Sequence, residues 1–181
     1  MQTRSKTIRI IRHLAFAAVC LALCMVLPFL TGQIPEIGRM LCPMHIPVLL
    51  AGFLCGPWWA LAVGAIAPML RFALFSMPPP LPTGLAMTFE LLTYGLAAGL
   101  LYRLLPKKPG HIYVSLIGAM LAGRIIWGIA SMIIYGAMGN PFTWPIFFAG
   151  AFANAIPGII VQIVLIPVLV MALRKAKLIE S

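Results

Sequence analysis

From Ile156 to Leu173 the chain reads IPGIIVQIVLIPVLVMAL, without one charged side chain. A helix of that length spans roughly 27 Å at a rise of about 1.5 Å per residue, close to the hydrocarbon thickness of a bilayer. Leu14 to Leu30 is a second such run, and four more apolar stretches lie between the two. The expected spans are residues 14–30, 46–56, 58–76, 83–105, 112–137 and 145–173. Of the 181 residues, 62% are hydrophobic and 9% charged, against about 25% charged in ordinary soluble domains. A water-soluble fold could not hide that much apolar surface, and six spans leave no length for a soluble domain. The expectation is an all-α polytopic membrane protein, a six-transmembrane-helix bundle forming a single membrane domain over residues 1–181.

The net charge of +10 would suit a nucleic-acid partner if the charges shared a soluble face. They do not. Arg4, Lys6, Arg9 and Arg12 precede the first apolar run, Arg103, Lys107 and Lys108 share one polar gap, and Arg174, Lys175 and Lys177 follow the last run. With six spans these three clusters fall on one side of the membrane. The positive-inside rule makes that side the cytoplasm and places both termini there, in a plasma or inner membrane. The clusters are topology signals, and no nucleic acid is expected as partner. The basic start followed by an apolar run has the outline of a signal peptide. Because the rest of the chain is itself membrane-embedded, an uncleaved first span is expected.

Between the spans, Gly56-Pro57 marks a tight cytoplasmic turn. Thr31 to Met44 (TGQIPEIGRMLCPM) is the longest external connection and, with His45, the most polar, which makes it a candidate lid or binding loop. Ser76 to Thr83 (SMPPPLPT) carries four prolines and is expected to be stiff and extended. Cys20 and Cys24 lie one turn apart in the first span, as small packing residues; with Cys42 and Cys55 they show no metal-ligand spacing. Ala15, Ala17, Ala18 and Ala22 in the first span are small enough to let another helix approach closely. That neighbour is either within the bundle or on a partner.

Ionisable residues inside a membrane are expensive and so mark functional candidates. Here they are Arg71, Glu90 and Arg124, with Asn154 and Gln162 as uncharged companions. Counting from the outer span ends puts Arg71, Glu90, Asn154 and Arg124 at depths of roughly 8, 10, 14 and 20 Å. That distribution suits a pocket opened from outside, with Arg124 deepest. Two readings are open for each residue. Glu90 either contacts a ligand or neutralises Arg71 or Arg124 as a structural pair. Arg71 either joins the pocket or snorkels to the outer headgroups. Asn154, next to the Ala155-Ile156-Pro157-Gly158 break, either contacts a ligand or bonds a neighbouring helix, and His45 is either a ligand contact or an interface residue. Trp127, one turn from Arg124, could stack on a flat ligand, whereas Trp58, Trp59 and Trp144 read as interfacial anchors.

No P-loop pattern is present, so the chain is not expected to hydrolyse ATP itself. The only acidic residues are Glu36, Glu90 and Glu180, too few for a carboxylate pair or a metal cluster. No enzymatic constellation, metal or cofactor is expected. A self-sufficient proton-coupled carrier using Glu90 remains an alternative to a binding subunit.

Pro43-Met44-His45-Ile46-Pro47-Val48-Leu49-Leu50-Ala51-Gly52-Phe53 followed by Gly56-Pro57, then Pro78-Pro79, Phe89-Glu90-Leu91, Tyr94-Gly95 and Gly99-Leu100-Leu101-Tyr102 together resemble the S components of energy-coupling factor (ECF) transporters. These are six-helix vitamin-binding subunits. The resemblance implies a substrate-binding subunit, for which the residues singled out above, His45, Arg71, Glu90, Arg124, Trp127 and Asn154, are the candidate site. Ala18-Val19-Cys20-Leu21-Ala22 looks like the family's AxxxA element, which implies that Ala18 and Ala22 dock on a membrane T subunit coupled to two ATPase subunits. Such a protein binds a water-soluble vitamin or precursor outside and topples in the membrane to release it inside. Two arginines would suit a carboxylate such as pantothenate. Glu90 would suit a nitrogen heterocycle such as a pterin, deazapurine or pyrimidine precursor.

Overall fold

The computed structural model describes residues 2–31 and 34–179; Gly32 and Gln33 of the external connection and Glu180 lie outside them. Eight α-helices follow in order: α1 (Gln2–Val26), α2 (Pro35–Leu41), α3 (His45–Cys55), α4 (Pro57–Phe75), α5 (Leu85–Leu104), α6 (Pro109–Ala137), α7 (Trp144–Ala151) and α8 (Ile156–Lys175). Short 3-10 turns at Leu27–Thr31 and Ala153–Ala155 and a π turn at Pro80–Gly84 join them. No strand occurs among the described residues. Five helical stretches are long and apolar enough to cross a membrane, and His45–Cys55 is a shorter apolar helix. The protein is a multi-helix membrane bundle.

α5 is the centre. It packs against α3, α4 and α6, while α1 lies on α3 and α4 at the side. Between α4 and α5 the backbones touch. A Cβ at Gly64 would come within 2.4 Å of the Leu91 carbonyl oxygen, and one at Gly95 within 2.4 Å of that of Ala60. In lipid, where burying apolar surface between helices yields little, such close approach and its van der Waals contact hold a bundle together. Gly56, at φ 83°, closes α3 and opens α4 directly onto Pro57, the tight turn expected there.

Three elements depart from the sequence reading. The external connection is not a plain loop: Pro35, which suits the first turn of a helix, starts α2, and α2 packs on α8. The expected last span, residues 145–173, is two helices, α7 and α8, separated by a break from Phe152 to Ala155. The proline segment is bent rather than extended. It contains cis peptides at Met77-Pro78 and Leu81-Pro82 and ends in the π turn. The segment 4–12, read as a basic cluster before the first span, is helical, since it holds neither proline nor glycine to break a helix.

Candidate functional site

The outer ends of these helices enclose a cavity of about 420 Å³. Its walls come from every part of the chain: the 3-10 turn after α1, α2 and its connection to α3, the proline segment, and α4 to α7 with the break that follows. His45, Arg71, Glu90, Arg124, Trp127 and Asn154, all singled out from the sequence, line this one cavity. Gln162 is buried on α8 and is not among its walls.

At the closed end Arg124 Nη1 is 2.8 Å from Glu90 Oε1, and both side chains are buried. His45 Nε2 is 3.4 Å from the same carboxylate oxygen. The His45 ring meets Tyr94 edge-on at 5.3 Å, one turn of α5 beyond Glu90. His45 is therefore not an interface residue. It stands in the first turn of α3, 3% exposed. Arg124 Nη2 also lies 3.8 Å from the Cys42 sulfur. His45 Nδ1 and Arg124 Nε are among the buried side-chain atoms that have no hydrogen-bond partner among the described residues, whereas buried polar atoms in a native core are normally satisfied.

The Arg124 side chain, from α6, reaches Glu90 on α5, so the two residues expected at different depths meet at their charged ends.

Arg71 neither pairs with Glu90 nor snorkels. It is 3% exposed, and its Nη1 donates to the Met25 carbonyl at 2.5 Å. Its guanidinium also lies 5.3 Å from the Phe29 ring centroid and 5.1 Å from that of Phe75. Carbonyls in the last turn of a helix lack intrahelical donors and favour a cation. Arg71 supplies both at the end of α1, and it binds α4 to the turn that roofs the cavity.

Trp127 forms an aromatic wall. It stacks on Phe147 of α7 at 6.2 Å and meets Phe142 edge-on at 5.9 Å. Asn154 sits exposed in the break between α7 and α8, at the cavity edge. Cys42 and Met87 were not singled out from the sequence. Met87 was findable, since it precedes Glu90 by one turn on α5 and shares its face. Cys42 was not, because its place depends on how α2 ends: it caps α2 at φ 48°.

α1 presents two faces. Ala17, Cys20, Cys24 and Met25 turn inward and are buried, as expected for the two cysteines; Ala15, Ala18 and Ala22 turn outward and are exposed. Among the described residues, therefore, no helix of the bundle covers the Ala18 and Ala22 face.

Residues 12–170 match the family model described as the substrate-specific component of the ECF transporter. No curated protein and no solved structure matches the chain.

Proposed function

This chain belongs to the substrate-specific components of ECF transporters, and we propose that its outer cavity captures a small, flat, uncharged micronutrient or precursor with a nitrogen-heterocycle edge. The observation that carries the reading is the Glu90–Arg124 pair, 2.8 Å apart beside His45 at the end of a mainly apolar cavity. Such a pair offers an acceptor and a donor side by side. A ligand edge with an N–H next to a carbonyl or ring nitrogen satisfies both. Trp127 would stack on the face of the same ligand. A carboxylate such as pantothenate fits less well. It would have to take Arg124 from Glu90 or Arg71 from the Met25 carbonyl, and a buried group stripped of its partner is costly.

Transport is then energised from outside the chain. The exposed Ala18 and Ala22 face of α1 docks on a membrane T subunit that carries two ATPases; small outward residues permit the close helix contact such docking needs. The ligand enters from the external side, and the chain sits as a multi-pass protein in the plasma or inner membrane.

The test begins with the full chain purified from a native host, with retained small molecules identified by mass spectrometry. Thermal unfolding is then compared with pterins, deazapurines, aminopyrimidines and pantothenate. Stabilisation by a heterocycle is expected; stabilisation by pantothenate alone would overturn the substrate class. Co-purification with an ATPase-bearing complex is expected as well. Uptake into liposomes by the isolated chain, driven by a pH gradient, would instead establish a self-sufficient carrier.

A further inference from the structure

The Trp127 indole is supported on three sides. Phe147 of α7 lies against one face, with ring centroids 6.2 Å apart and planes 27° from parallel. Phe142, in the connection between α6 and α7, meets it at 75° and 5.9 Å. The far tip of the indole reaches Gly150, one turn of α7 beyond Phe147, where a Cβ would come within 2.7 Å of Cη2. Trp127 and Gly150 line the outer cavity, whereas Phe142 and Phe147 are not among its walls. The indole is thus backed from behind, and its open side is the cavity.

The contact between the two helices is reciprocal. Phe147 sits over Gly128, the residue after Trp127 on α6, where a Cβ would come within 2.4 Å of the ring carbon Cε2. Each helix therefore lays one ring on a glycine of the other, the kind of close approach that small residues permit in a membrane bundle. A methyl group would act differently at the two glycines. At Gly128, which is buried, it would lift Phe147 and α7 with it. At Gly150 the three nearest atoms all belong to the Trp127 indole, so a methyl there would turn one side chain and leave the backbone in place. With Phe142 and Phe147 behind it, the indole could turn only into the cavity.

A ring fixed in this way offers a face that need not be ordered when a ligand arrives, and preorganisation of that kind raises affinity by lowering the cost of binding. We propose that Gly150 is a positioning residue for ligand recognition: its bare backbone lets the Trp127 indole lie back against α7 and present a flat surface on which a ligand ring stacks. The role rests on the stacking given to Trp127 in the proposed function, and it assigns a part in recognition to a residue that has no side chain to touch the ligand.

Gly150→Ala in the full chain, purified in detergent, tests this with two readouts. The first needs no ligand: acrylamide quenching of Trp127 fluorescence in a background carrying Trp58→Phe, Trp59→Phe and Trp144→Phe. Quenching is expected to rise in Gly150→Ala, because the displaced indole projects into the cavity. The second is equilibrium binding of pterin, 7-deazaguanine and 4-aminopyrimidine, with pantothenate as the comparison without a ring. Gly150→Ala should weaken binding of the ring compounds about tenfold, in the range of a lost aromatic stack. Added to Trp127→Phe, whose shorter ring stops short of position 150, the same change should cost less than about twofold. Gly136→Ala, on α6 with open space around it, should alter neither readout. Unchanged quenching in Gly150→Ala, or an equal loss of binding with and without Trp127→Phe, would overturn the positioning role. Binding that falls in Trp127→Leu but not in Gly150→Ala would overturn only the part given to Gly150. Binding indifferent to both, or binding of pantothenate alone, would overturn the stacking itself and the proposed function with it.

Discussion

Arg124 and Glu90 sit on adjacent helices and meet at 2.8 Å, with His45 from a third helix 3.4 Å from the same carboxylate. The pair neutralises two buried charges, and under the proposed function it also recognises the ligand; the two roles separate by mutation. Glu90→Leu or Arg124→Met alone leaves a buried charge uncompensated and should destabilise the fold by about 3–5 kcal/mol. The double variant Glu90→Leu/Arg124→Met should regain most of that stability. It should still show no ligand-induced rise in unfolding temperature, because the polar edge of the cavity is gone. A double variant that responds to ligand normally would place recognition elsewhere on the cavity wall.

Arg71 is expected to act as a clasp. Arg71→Lys keeps the charge but loses the planar fit between Phe29 and Phe75 and the reach to Met25. The expected outcome is a loss of about 1–2 kcal/mol in stability with ligand affinity changed less than about fivefold, which is about 1 kcal/mol. Thermal unfolding and equilibrium binding on the same preparation check both halves.

Ala18→Leu and Ala22→Leu add bulk to an exposed face. Surface substitutions of this kind usually shift stability by no more than about 0.5 kcal/mol, so the isolated chain should unfold and bind ligand as before. Co-purification with the T subunit and its ATPases should fail, and uptake with it. Loss of ligand binding in these variants would mean that the face serves the bundle and not a partner.

Gly95→Ala should force α5 away from α4, since the added methyl would occupy the place of the Ala60 carbonyl. Overpacking of this kind costs about 1–3 kcal/mol. Glu90 rides on the same helix one turn and a residue away, so ligand affinity should fall along with stability. Gly110→Ala, at a position with open space around it, should leave both unchanged and serves as the matched comparison.

The spanning helices were legible because each is a long, mostly apolar run, a signal that needs no tertiary context. His45, Arg71, Glu90, Arg124, Trp127 and Asn154 were legible for a related reason: polar or aromatic residues stand out against hydrocarbon. Their partnerships were not. Whether Glu90 pairs with Arg71 or Arg124 depends on how α4, α5 and α6 rotate about their axes, which the α4–α5 glycine contacts decide and no periodicity records. α2 was hidden because it is only seven residues long within a polar connection and packs on α8, far away in sequence. The break at Asn154 was legible in the Pro157-Gly158 that follows it, although residues 145–173 were expected as one span.

With Gly64 and Gly95 leaving no slack between them, α4 and α5 behave as a single bar, and the floor of the outer cavity cannot swell to admit a bulkier guest. Breathing must come from the roof, where α2 and α7 are only two turns long and lean on the 3-10 segment at Ala153–Ala155. If the proposed ligand binds here, size is measured at the stiffer surface and residence time is set at the softer one. The two could change independently, and a chain built this way could lengthen or shorten its grip on a nutrient without altering which nutrient it accepts.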